Sequence, residues 1–88
     1  MRKNQDWYMY VVECIDGTLY TGITTNLSRR LNEHNHGRRG AKYTRSRRPV
    51  KYLFTMACSS RSEAASEESK FKKLSRRQKL KAIQGDDF

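Results

Sequence analysis

The sequence predicts an α+β fold, a small three-stranded antiparallel sheet flanked by helices in the order ββαβαα. Three observations point to it. Two runs rich in aromatic and β-branched residues flank Asp16-Gly17, a strong hairpin signal. A third strand-like run stands alone at Val50–Cys58. Cap signatures then open two helices, at Ser60-Arg61-Ser62-Glu63 and at Ser75-Arg76-Arg77-Gln78.

Trp7–Ile15 is the first strand. Both of its alternating sets are largely apolar, so it is the central strand, covered on both faces. Thr18–Ile23 returns beside it. Thr25 is the expected N-cap of a helix through Leu27, Arg30, Leu31 and His34, which Gly37 ends. Residues 37–49 hold Gly37, Gly40, Ser46 and Pro49 and read as a long loop. After the third strand one helix runs through Ala64, Ala65, Phe71 and Leu74. A short basic helix follows over 75–84, through Leu80 and Ile83 to Gly85. With 88 residues, 35% of them hydrophobic, the expectation is one domain over 1–88 with its core at about 7–77.

Nineteen Lys and Arg against nine Asp and Glu leave a net charge of +10. The pI is near 10.1 and the mean hydropathy −1.00, the footprint of a polyanion binder. The charge is blocked rather than mixed. Gly37–Lys51 carries seven basic residues and no acid, and Lys70–Lys81 carries seven more. A face kept only for solubility would intersperse the signs. Nucleic acid is therefore the expected partner, contacted by Arg38, Arg39, Lys42, Arg45, Arg47, Arg48, Lys70, Lys72, Lys73, Arg76 and Arg77. Tyr43, inside the first block, either stacks on an unpaired base or packs its own loop.

Other classes are excluded. The longest apolar run, Trp7–Val12, has six residues, too few for a transmembrane helix. Met1–Asp6 is followed by no apolar signal core, and neither basic block has the leucine-rich opposite face of a membrane-surface helix. A cytoplasmic location is expected. Cys14 and Cys58 lack zinc-finger spacing and are expected to be reduced and buried.

Leu27, Arg30, Leu31 and His34 recur at i, i+3, i+4 and i+7 and share one helical face. On that stripe Arg30 and His34 read either as a snorkelling cation and a satisfied core histidine, or as site residues. Tyr8, Tyr10 and Tyr20 have an alternative reading as strand aromatics. The helical wheel does not choose between Glu67 and Glu68.

Tyr8-Met9-Tyr10, nine intervening residues, Tyr20-Thr21-Gly22, then Arg30, His34 and a distant Glu68 together resemble the GIY-YIG nuclease family, over about Trp7 to Arg77. That family includes intron-homing endonucleases, an incision subunit of bacterial excision repair, Holliday-junction resolving subunits and some restriction enzymes. The first triplet here is Tyr-Met-Tyr rather than Gly-Ile-Tyr. The resemblance implies a metal-dependent endonuclease that hydrolyses DNA phosphodiesters in repair or recombination. Tyr43 and the small size favour single-stranded or branched DNA over plain duplex.

The resemblance also implies the catalytic set Tyr10, Tyr20, Arg30, His34 and Glu68, and it selects Glu68 over Glu67 as the one protein ligand of Mg²⁺ or Mn²⁺. Tyr20, activated by nearby positive charge, is the general base, with His34 as the second candidate. Arg30 neutralises charge on the phosphoryl oxygens. Tyr10 orients water or phosphate. No small-molecule cofactor is expected, and the chain would be a monomer or weak homodimer. The rival reading is a non-catalytic binder of DNA or structured RNA that keeps the fold; it would need no Glu68 and would bind unchanged in chelator.

A shared site needs Tyr10 and Tyr20 on one sheet face. A two-residue Asp16-Gly17 loop would pair Ile15 with Thr18 and put the tyrosines on opposite faces. Placing Cys14 opposite Thr18 instead pairs Tyr10 with Gly22 and Val12 with Tyr20. Ile15-Asp16-Gly17 is then a three-residue loop with a left-handed Gly17. Gly22 would leave open space beside the Tyr10 phenol.

Overall fold

The aromatic and β-branched runs pair as expected. In a computed structural model describing residues 6–85, β1 (Trp7–Glu13), β2 (Leu19–Thr24) and β3 (Lys51–Cys58) form one antiparallel sheet in the order β2-β1-β3. Central β1 is covered on both faces. Tyr10 and Val12 face one side with Val50, Tyr20 and Tyr52, packed under Leu27 and Leu31 of α1 (Leu27–His36). Met9 and Val11 face the other, against Phe71 and Leu74. Phe71 belongs to α3 (Arg61–Lys72), and Ala82 and Ile83 of α4 (Arg76–Gln84) close the same layer. Burying Phe71 there contributes about 1.5–3 kcal/mol.

The hairpin register is the one that unites the two tyrosines. Tyr10 pairs with Gly22 and Val12 with Tyr20. Cys14 N–H donates to Thr18 O at 2.8 Å, and Gly17, at φ +83°, closes the turn. An L side chain at that φ would be strained. The space expected over Gly22 is not open, because the Tyr10 ring fills it. A Cβ at Gly22 would meet the Tyr10 hydroxyl at 2.5 Å. Glycine here admits the phenol rather than a ligand.

Several local expectations shift. β1 stops at Glu13, and Ile15 is exposed in the turn. The N-cap of α1 is Asn26, not Thr25, because its side-chain oxygen accepts from Arg29 N–H at 2.9 Å. Ser60 caps α3 through Glu63 N–H, but the Glu63 carboxylate accepts from Ser59 rather than closing the box on Ser60. Ser75 and Gln78 close theirs fully. The stretch 37–49 is not all loop. A four-residue helix, α2 (Lys42–Arg45), is tied in by buried Thr44, so the order is ββααβαα.

Both cysteines are free and buried. Among the described residues no helix is long and apolar enough to cross a membrane. The N-terminal residues read for a signal sequence, 1–5, lie outside the described residues.

Candidate active site

The shared stripe of α1 brings His34 and Arg30 down onto the Tyr10 side of the sheet. His34 is fully buried there, between two hydroxyl groups. Thr44 Oγ1 donates to Ala41 O at 3.0 Å, so it accepts from His34 Nδ1–H at 2.8 Å. That tautomer leaves Nε2 bare, and the Tyr10 hydroxyl donates to it at 2.8 Å. Arg30 Nε in turn donates to the Tyr10 oxygen at 3.2 Å. The chain Arg30–Tyr10–His34–Thr44 fixes every proton in it. Burial, with the Arg30 charge beside it, pushes the His34 imidazole down to about 4, so the ring is neutral. Burial also raises the Tyr10 hydroxyl above its ordinary value against the opposing pull of Arg30, which keeps it a donor.

Arg30 is anchored at three points. Besides Tyr10, its Nη1 reaches Glu33 Oε1 at 2.9 Å and Arg39 O at 2.8 Å. The Glu33 carboxyl is held below the ordinary carboxylate range by that guanidinium. Nη2 makes no hydrogen bond to another described residue, so two of the five guanidinium donors remain for an anion.

Tyr20 differs from Tyr10. Its ring meets the His34 edge at 5.6 Å and stacks on Tyr43 at 6.0 Å, and its hydroxyl has no hydrogen-bond partner among the described residues. It lines a cleft of about 250 Å³ with Leu19, Thr21, Tyr43, Lys72 and Lys79.

The two glutamates that the helical wheel left equivalent are separated. Glu68 pairs with Lys72 at 3.2 Å and is one of the charges that raise the Tyr10 pKa. Glu67 lies with Met9, Phe54 and Phe71 in an apolar groove and pairs with Lys70 at 3.5 Å. Among the described residues no three His, Cys, Asp or Glu side chains gather as a metal site. The carboxylate that acts on Tyr10 is Glu68. One carboxylate fits Mg²⁺ or Mn²⁺, which keeps waters and takes phosphate oxygens.

The model of the GIY-YIG catalytic domain matches residues 6–81. This chain belongs to the GIY-YIG family. It is 49% identical over 81 residues to a UPF0213 protein of Desulfotalea psychrophila, covering 92% of this chain and 74% of that one. A UPF0213 protein of Streptococcus agalactiae is 58% identical over 76 residues, 86% of this chain and 85% of that one. Two solution NMR structures share the fold. The protein EF2693 of E. faecalis has 44% identity and a TM-score of 0.62, covering 100% and 96% of the two chains. The UPF0213 protein BH0048 of Bacillus halodurans has 43% identity and a TM-score of 0.58, covering 90% and 83%.

The basic residues of this GIY-YIG domain divide by environment. Lys72 and Lys79 line the Tyr20 cleft. Arg38, Arg39, Lys42, Lys70, Lys73 and Arg77 are exposed. Arg45 reaches Arg38 O at 3.0 Å, and Arg76 reaches Gly17 O at 3.1 Å. Arg48 instead points inward, donating to the carbonyls of His34 and Gly37 at the end of α1. It completes a helix C-terminus, which favours a cation. Sequence reading missed Thr44 and Glu33. Arg30 and Glu33 are three apart on α1, and that spacing was a readable signal. Nothing local marked Thr44, whose partner His34 is ten positions away.

Proposed function

We propose that this protein is a metal-dependent endonuclease that hydrolyses DNA phosphodiesters, acting on single-stranded or branched DNA in repair or recombination. The observation that carries the reading is the Tyr20 cleft. An uncommitted tyrosine hydroxyl opens there, with Lys72 and Lys79 from the second basic block and Tyr43 from the first. Arg30, with two unused donors, meets the Tyr10 hydroxyl, and Glu68 lies within electrostatic reach of Tyr10.

The DNA strand lies in the cleft, held by lysine contacts to its phosphates. Tyr20 serves as the general base for the attacking water. The water oxygen bonds to phosphorus, the bond to the 3′ oxygen breaks, and that oxygen gains a proton from solvent. Arg30 meets the charge on the phosphoryl oxygens with Nη2. Glu68 would hold one Mg²⁺ or Mn²⁺, which supplies charge stabilisation at the phosphate and the departing oxygen. Tyr10 and His34 are enclosed and spend their polar atoms on each other, on Arg30 and on Thr44. Their part is to aim Arg30, which leaves Tyr20 as the base in preference to His34.

Labelled single-stranded, duplex and branched oligonucleotides, incubated with Mg²⁺ or with chelator, test this reading. Metal-dependent cutting of the single-stranded or branched forms supports it. Binding that is indifferent to chelator, with every substrate intact, would establish the non-catalytic binder instead.

A further inference from the structure

We propose that Tyr43 is a positioning residue that holds the Tyr20 ring in its working orientation, and that an Arg47–Asp16 clamp keeps Tyr43 in place. The catalytic half of this rests on Tyr20 being the base; the geometric half does not.

Tyr20 sits on edge strand β2, half-buried, with no hydrogen bond from its hydroxyl to any described residue. Ring contacts must therefore set its orientation. One is the His34 edge, at 5.6 Å and 69°. His34 is locked at both nitrogens and is a fixed wall. The other aromatic contact, on the cleft side, is the Tyr43 face, at 6.0 Å and 18°. Tyr43 stands on the four-residue α2 and is 38% exposed, so packing alone holds it weakly.

Arg47 supplies the rest. Its guanidinium carbon lies 4.0 Å from the Tyr43 ring centroid, and its Nη1 donates to Tyr43 O at 2.8 Å. Its Nε donates to Asp16 Oδ2 at 3.0 Å. Asp16 is itself fixed, accepting at Oδ1 from the Thr18 hydroxyl at 2.6 Å and from Thr18 N–H at 3.1 Å. Ile15 N–H donates to Arg47 O at 3.0 Å, a second tie between the same segments. The β1–β2 turn that sets the position of Tyr20 is thus fastened, through one planar side chain, to the aromatic ring that sets its angle. Arg47 stacks and forks at once, which a lysine cannot do.

A small misplacement of a reacting group lowers turnover by up to about a hundredfold without weakening binding. Tyr43→Ala should accordingly lower kcat roughly tenfold or more, beyond any change in KM, whereas Tyr43→Phe, which keeps the ring, should restore most of that kcat. Asp16→Ala is the decisive companion. It removes a negative charge, so substrate binding should hold or tighten while kcat falls in the same direction as in Tyr43→Ala. A rise in KM with kcat unchanged in Tyr43→Ala, or an unaltered kcat in Asp16→Ala, would overturn the proposal.

The NMR ring signals of Tyr20 in the free protein separate the two halves. They should shift in Tyr43→Ala and stay in place in Tyr43→Phe. If the unaltered protein cleaves nothing, the endonuclease reading falls, and the ring signals alone decide. Signals indifferent to Tyr43→Ala would then overturn the positioning role as well.

Discussion

At Tyr10 one phenol oxygen both accepts from Arg30 and donates to His34, out of water. Tyr10→Phe therefore strands a buried acceptor and a guanidinium donor, at a cost of about 1–3 kcal/mol. Urea unfolding of the variant should show that loss, and an unchanged midpoint would refute the committed network. His34 links the same network to pH. Its imidazole is held at about 4 against an ordinary 6.5. Between those values the unfolded chain binds a proton that the folded chain refuses. Stability is thus full above the ordinary value and falls as pH drops toward 4, by up to about 3 kcal/mol. Unfolding midpoints at about pH 7 and about pH 5 should differ, and His34→Gln should flatten the difference. The sequence placed Arg30 and His34 on one helical face by spacing alone. It could not show that His34 is enclosed, because Thr44 and Tyr10 reach it from ten and twenty-four positions away.

The β1–β2 hairpin joins chemistry to geometry at the scale of elements. Alternation with period two meant that only one parity of register could bring Tyr10 and Tyr20 together, and the observed pairing has it. Gly17 sustains the turn at φ +83°. Gly17→Ala should cost about 1–2 kcal/mol, read by thermal unfolding, and Gly17→Asn less. Gly22→Ala should do more harm, since its methyl would drive the Tyr10 ring from Arg30 and His34. Caps that rest on adjacent residues were legible, as at Ser75 and Gln78. Helix α2 was not. Its four residues are held by a hydroxyl that reaches another element, and glycine and proline content could not reveal that.

Over the whole molecule the charge acts as a field. In the proposed reading a net +10 would bind phosphates through released counterions, so log affinity should fall linearly with log salt. Neutralising about four to six phosphates on a single strand gives a slope of about −0.7 per contact. Arg48 is turned into the fold, so Arg48→Ala should cost stability and leave that slope alone. Lys72→Ala and Lys79→Ala should each flatten it, being at the cleft. The charge blocks were plain in the sequence. Their division into cleft-lining, surface and inward-turned side chains was not, since it depends on which carbonyls and carboxylates the fold brings within reach.

In the proposed mechanism binding and cutting rest on different side chains, so they should come apart in a single pair of variants. Cleavage and affinity of Glu68→Ala and Glu67→Ala, measured on one labelled single-stranded oligonucleotide in Mg²⁺, test that separation directly. Glu68→Ala should lose cleavage and keep its affinity within about twofold, because phosphates are held by lysine and arginine. Glu67→Ala, which alters the apolar groove and releases Lys70, should cut normally. Loss of cleavage in Glu67→Ala with Glu68→Ala fully active would contradict the assignment of the site.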